Sequence, residues 1–352
     1  MTPPVPAPAP TERGWGKLLL AIGAFLFIPM IPQFRAFLPI EQTVMLFVPA
    51  VAACALVGWW AGGRAYVAIA WVGIAVLLMT QSPTAPTPFH NLARGWSLLL
   101  GGAFGLVCLL GARRPVFTRA LSALAIALSF AIVMTLIGPV TPAIASRTVA
   151  AEFERRNAET MTTLNDFITA HPKEWEDVSA RVPQIKALPE ETGKQLQQFS
   201  NAGRAVFPAL LALESLAALA LGWATYHRLA RTRLGLPLGK LREFRFNDQF
   251  VWGLIAGLTI VLLPTLTTLT GVGRNLLVFF GALYAVRGLG VLTWFLAPGT
   301  LGVTLLVGFV MLFLPFLSAI AVLAFMALAV AAIGLGLGDT WADWRSRARS
   351  PS

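Results

Sequence analysis

The sequence predicts an all-α, polytopic transmembrane helical bundle of about ten spans, with both termini cytoplasmic and a small helical extracytoplasmic insertion. Three observations predict it. Of 352 residues, 57% are hydrophobic and only 12% charged, and the mean hydropathy is +0.72, well outside soluble composition. Apolar runs approaching the ~20 residues that cross a bilayer as a helix recur along the chain. The basic residues fall between these runs, with a bias towards alternate loops. A soluble fold would need more polar surface and a disordered chain would need lower hydrophobicity, so both classes are excluded.

Residues 1–16 are Pro/Ala-rich with little to bury, so they are expected to be disordered. The run 18–31 lacks a small-x-small cleavage site and meets Pro29 and Pro32, which predicts a short first span that stays attached. Further runs at 43–60, 65–79, 95–112 and 116–138 complete a five-span first half, 17–138. Residues 139–204 interrupt the pattern with eight basic and nine acidic residues. Within them Val149, Phe153, Met161, Leu164 and Ile168 fall mostly at three-to-four spacing, and Trp175, Val178, Val182 and Ile185 do so after a break at His171-Pro172. Two amphipathic helices are expected there, packed on each other over the outer mouth of the bundle or serving as a lid or docking site.

The second five-span half, 205–339, holds apolar runs at 205–226, 250–269 and 275–296. Beyond Pro298-Gly299, residues 301–337 are apolar throughout. One helix of that length would measure about 55 Å, against a hydrocarbon core of about 30 Å. A split near 315–318 gives two short spans and ten in all.

Lysine and arginine test the layout independently, because cytoplasmic loops hold the excess. With the N-terminus inside, fifteen of the 27 basic residues fall in inner segments, among them Arg64, Arg113, Arg114, Arg119 and the tail 340–352. Only Arg35, Arg94 and Arg274 fall in short outer loops. A nine-span chain would place the arginine-rich tail outside. The net charge of +11 therefore reflects membrane topology, not nucleic-acid binding. The inner loop 227–249 carries Arg231, Arg233, Lys240, Arg242 and Arg245 interleaved with leucine and phenylalanine. Such a pattern beside a span suits anionic headgroups, and no nucleic-acid-binding signature accompanies it.

No catalytic constellation is legible. His90, His171 and His227 lie apart, Cys54 and Cys108 sit in apolar runs without a CxxC spacing, and LGLPLGK lacks the spacing and hydroxyl of a phosphate loop. No enzyme activity, cofactor or metal is expected. Gly253-x-x-x-Gly257, Gly101-Gly102-x-x-Gly105 and the glycines at 334, 336 and 338 are expected to serve close helix packing. The sharper signal is charge inside spans, which costs at least about 2.5 to 3.5 kcal/mol on insertion scales. Glu214 and Arg287 qualify. Their estimated depths differ by about one helical turn, so pairing is open to them, and they are either part of a polar ligand or proton site in the bundle or a buried pair that fixes helix register.

From Leu238 onward, LGKLREFRFNDQFVWGL, GRNLLVFFGALYAVRGLGVLTWF and GLGLGDTWADWRSR resemble the YybS-like family of multi-pass bacterial membrane proteins. The resemblance carries Asn275, Gly288, Asp339 and Arg345 over as motif positions, while Arg287 stands where the family pattern often has Gln. That family is similar in hydropathy to the substrate-binding membrane components of energy-coupling-factor vitamin transporters. The resemblance thus implies binding of a small solute, with Asn275 beside Glu214 and Arg287 in the ligand site, and docking on a separate membrane or ATPase partner. The other expectation is a structural or regulatory membrane protein that organises envelope or cytoplasmic partners without transport.

Overall fold

The computed structural model describes residues 14–30, 39–81, 87–230, 233–296, 299–311 and 318–347, and among them every regular element is helical. Residues 1–13, Arg231 and the expected break at 315–317 lie outside the described residues. Six helices are long and apolar enough to cross a membrane, and four shorter ones are apolar but of 10–17 residues. The chain divides into two compact units, 1–201 with 214–237, and 202–213 with 238–352.

The first unit begins with α1 (Trp15–Phe27), α2 (Ile40–Trp60), α3 (Ala65–Thr80), α4 (Pro88–Leu110) and α5 (Val116–Ile137). Helix α2 is its core, with 72% of its most apolar window buried. Phe47, Val48, Val51 and Ala52 pack with Ala75 of α3, and Ile22 and Phe25 of α1 lie against them. Most of α5, by contrast, is open to surrounding apolar solvent, with 22% buried, as a lipid-facing helix should be.

The polar stretch forms α6 (Pro142–Ala170) and α7 (Pro172–Arg181), broken at His171-Pro172 where the sequence predicts it. Proline suits the first turn of a helix, where its missing N–H has no intrahelical partner in any case. A third element was not legible. Helix α8 (Leu188–Leu229) runs 42 residues without interruption, so the expected boundary at 204 falls inside one helix. At ~1.5 Å per residue it measures about 63 Å, twice the hydrocarbon thickness. Its polar first half therefore projects beyond any bilayer that its apolar second half crosses. That second half docks on α2 through small residues: a side chain on Gly58 would overlap the Tyr226 ring, and one on Gly222 would lie 3.1 Å from Ala50.

The second unit holds α9 (Val251–Leu262), α10 (Thr270–Phe295), α11 (Thr300–Met311), α12 (Ser318–Ala342) and the short α13 (Trp344–Arg347). Pro264 ends α9 early, and a 3-10 turn over Pro264–Leu269 replaces the last turns that hydropathy predicts. Helices α10 and α12 cross backbone to backbone: a side chain on Gly288 would overlap the Ala332 carbonyl, and one on Gly336 the Tyr284 carbonyl. The glycine pattern is thus a packing device here.

Candidate functional site

In the first unit, the N-terminal turn of α2 brings Gln42 and Thr43 to the Glu214 side chain of α8. Gln42 Nε2 donates to Glu214 Oε2 at 2.5 Å and Thr43 Oγ1 to Oε1 at 2.8 Å. Glu214 is 5% exposed, Gln42 2% and Thr43 1%. Next along α8, Ser215 Oγ accepts the Trp96 indole N–H at 3.0 Å. No cation bonds directly to the Glu214 carboxylate among the described residues. Gln42 Oε1 is likewise a buried acceptor with no partner among them. The cluster therefore has acceptors in excess, which suits a group that brings hydrogen-bond donors or positive charge.

Beside this cluster, α6 carries a compact ion network. Glu152 accepts from Arg155 Nη2 at 2.7 Å and from Arg156 Nε at 2.9 Å, and Arg156 lies over the Phe89 ring at 4.9 Å. Burial pushes the Glu152 carboxyl up, but hydrogen bonds and charge from Arg155 and Arg156 outweigh it and hold the group below its usual range.

At the far end of the same unit, Arg119 is fully buried. Its guanidinium stacks 4.0 Å from the Trp223 ring centroid and donates to Cys108 Sγ at 3.6 Å, while Nε and Nη2 have no hydrogen-bond partner among the described residues. The segment after α8 folds over it, tied by Trp223 Nε1 to Leu236 O at 3.0 Å and Leu234 N–H to Tyr226 Oη at 3.0 Å. Gly235 permits this course: its φ is +75°, and a Cβ there would sit 2.7 Å from the Ala112 carbonyl.

In the second unit, Arg287 donates from Nε to Asp339 Oδ2 at 3.0 Å and from Nη1 to Asp248 Oδ1 at 2.5 Å. Arg345 binds the same Asp339, with Nε 3.1 Å from Oδ1, and its Nη1 reaches the carbonyls of Arg242 and Phe244 at 3.0 Å each. Asp339 is 1% exposed. Two arginines and two aspartates thus make a neutral knot that ties α10 and α12 to the 238–250 segment.

Glu214 and Arg287 each have side-chain partners within their own unit. Asn275 bonds backbone groups. Its Oδ1 accepts the Ala209 N–H at 2.9 Å, and its Nδ2 donates to the Ala205 and Gly271 carbonyls at 2.9 and 2.8 Å, so the backbone occupies both ends of its amide. Gly288, Asp339 and Arg345, singled out by resemblance, converge on the knot. Of the basic residues, Arg245 pairs with Asp343 and Arg242 lies beside Glu243 and over Trp294. Lys240 is exposed, and Arg233 Nε is 3.4 Å from the Ala230 carbonyl. Sequence reasoning missed Gln42, Thr43 and Asp248. A polar Glu41-Gln42-Thr43 triplet at the mouth of an apolar run was the available signal for the first two.

No curated protein and no solved structure matches the chain. The family model described as "Predicted membrane protein (DUF2232)" matches residues 24–335, and the chain accordingly belongs to the DUF2232 family of predicted membrane proteins.

Proposed function

We propose that this protein is a ten-span component of a bacterial cytoplasmic membrane that binds a small solute inside the bundle at Glu214. A separate membrane or ATPase partner supplies any energy. Both termini lie in the cytoplasm and residues 139–204 outside. The asymmetry of basic residues supports this orientation. Four short apolar helices, tilted or in locally thinned bilayer, supply the remaining spans. The chain has no enzymatic activity of its own, takes no cofactor or metal and binds no nucleic acid. Its inner basic residues lie on anionic headgroups.

The observation that carries the reading is the Glu214 cluster: a buried carboxylate and a buried, unpartnered amide oxygen within apolar helices. An intramembrane carboxylate is costly unless it has a use. Unfilled acceptors around it select a solute that carries a positive charge or several donors. The resemblance to YybS-like proteins, and through them to energy-coupling-factor substrate-binding components, supports the same class.

A second reading has its own observation. Phe167, Val178, Val182, Leu188 and Phe199 of the outer helices are exposed, which favours a protein that organises envelope partners without transport. One experiment separates the two. In a Cys54→Ala, Cys108→Ala background, Thr43→Cys should react with a membrane-impermeant thiosulfonate added from outside. Reaction only after unfolding would mark a dry helix contact and favour the second reading.

A further inference from the structure

A groove of about 570 Å³ opens on the side of the first unit between α2, α3 and α4. Its lining includes Ala53 and Trp60 of α2, Met79 of α3, and Gly102, Gly105 and Leu109 of α4. Trp60 and Leu109 lie at the last turns of α2 and α4, and Met79 at the opposite end of the antiparallel α3. At ~1.5 Å per residue the groove is on the order of 20 Å long, most of one hydrocarbon thickness.

The glycines explain why it is open. A side chain on Gly101 would lie 3.4 Å from the Pro49 carbonyl, so that position serves helix approach, whereas a Cβ on Gly102 would meet nothing within 4 Å. Helix packing therefore does not require Gly102 to be bare; its lack of a side chain leaves the floor of the groove empty. An unfilled apolar groove forfeits its dispersion contacts, and within a bilayer the available filler is a hydrocarbon chain.

Charge at one end identifies the rest of the occupant. The turn after α2 carries Arg64 and the turn after α4 carries Arg113 and Arg114, each about one helical turn beyond Trp60 and Leu109. Arg113 and Arg114 are exposed, and residues 58–66 and 109–119 contain no Asp or Glu. Arg64 donates to the Tyr66 hydroxyl, and no carboxylate pairs with it among the described residues. We propose that the groove binds one acyl chain of an anionic phospholipid whose phosphate lies over Arg64, Arg113 and Arg114. The site is separate from the Glu214 cluster and stands whether or not a solute binds there.

The test uses the full chain in phosphatidylcholine vesicles doped with phosphatidylglycerol bearing a photoactivatable acyl chain, with cross-links mapped by peptide mass. Labelling should concentrate on 52–60 and 98–109, severalfold above that on the lipid-facing surfaces of α5 and α12. Gly102→Leu should abolish the excess while keeping the thermal midpoint. Arg113→Gln with Arg114→Gln should reduce it on the order of tenfold, and a phosphatidylcholine probe should show no excess. Labelling spread evenly over α5 and α12 would overturn the proposal, as would equal labelling by both headgroups or an unchanged excess in the arginine variant. If Gly102→Leu lowers the midpoint, the headgroup comparison and the arginine variant still decide.

Discussion

Asn275 braces the turn of α8 that Pro208 opens: its carboxamide accepts the Ala209 N–H and donates to the Ala205 carbonyl, both at 2.9 Å. Proline inside a helix removes one donor and its ring crowds the carbonyl four residues back. A side-chain amide, which resembles a peptide group, supplies a donor and an acceptor across that turn. Asn275→Leu should therefore destabilise the detergent-solubilised protein by about 1 to 3 kcal/mol, the cost of stranding buried backbone groups. In a Pro208→Ala background the regular ladder can close, and the same substitution should cost less. A double-mutant cycle on thermal unfolding measures the difference.

Asp339 is the shared acceptor of two buried arginines. Asp339→Asn takes the carboxylate from Arg345 and leaves Arg287 only the more exposed Asp248, and breaking such a buried network costs roughly 3 to 5 kcal/mol. The substitution should also free the 238–250 segment, since Arg345 holds two of its carbonyls. Limited proteolysis should then cut near Lys240 and Arg242 faster than in the parent protein.

Glu152 gives a pH signature. Its carboxyl is held below the ordinary carboxylate range by Arg155 and Arg156. A depressed folded-state pKa adds stability that is present above the unfolded pKa and is lost as pH falls through the folded one. Acidification below the ordinary carboxylate range should loosen α6, followed by hydrogen exchange of 142–170. Glu152→Gln should be less stable at neutral pH and flatten that dependence.

Topology has an equally direct check. Reporter fusions after Arg119, Lys240 and Arg347 should read cytoplasmic and one near Lys186 extracytoplasmic. A cytoplasmic signal at Lys186 would reverse the arrangement.

Period and breakers made much of the helical layout legible. Apolar runs located the helices, His171-Pro172 located the α6 to α7 break, and charge within apolar runs singled out Glu214 and Arg287, both buried. Hydropathy did not extend to partners. Gln42 and Thr43 are 172 and 171 residues from Glu214, and no local pattern encodes such a pairing. Asn275 looked like a ligand donor because a polar residue in a span resembles a site from either side; only its bonds to Ala205 and Ala209 reveal a brace. The expected boundary at 204 falls inside a single helix. Polar and apolar halves of one helix share the same backbone geometry, so the composition shift within α8 does not mark an end of structure.

Ligand-dependent thermal stabilisation of the parent protein and Glu214→Gln tests the solute site most directly. A bound ligand stabilises only the state that binds it, by about 2.7 kcal/mol at a hundredfold excess over Kd. Against a panel of small organic cations and donor-rich neutral solutes, the parent should show a saturable rise in Tm with at least one member. Glu214→Gln should unfold at a similar temperature without solute and lose that rise. A parent protein that responds to no member of the panel, or a Glu214→Gln variant that keeps the full response, would contradict the account.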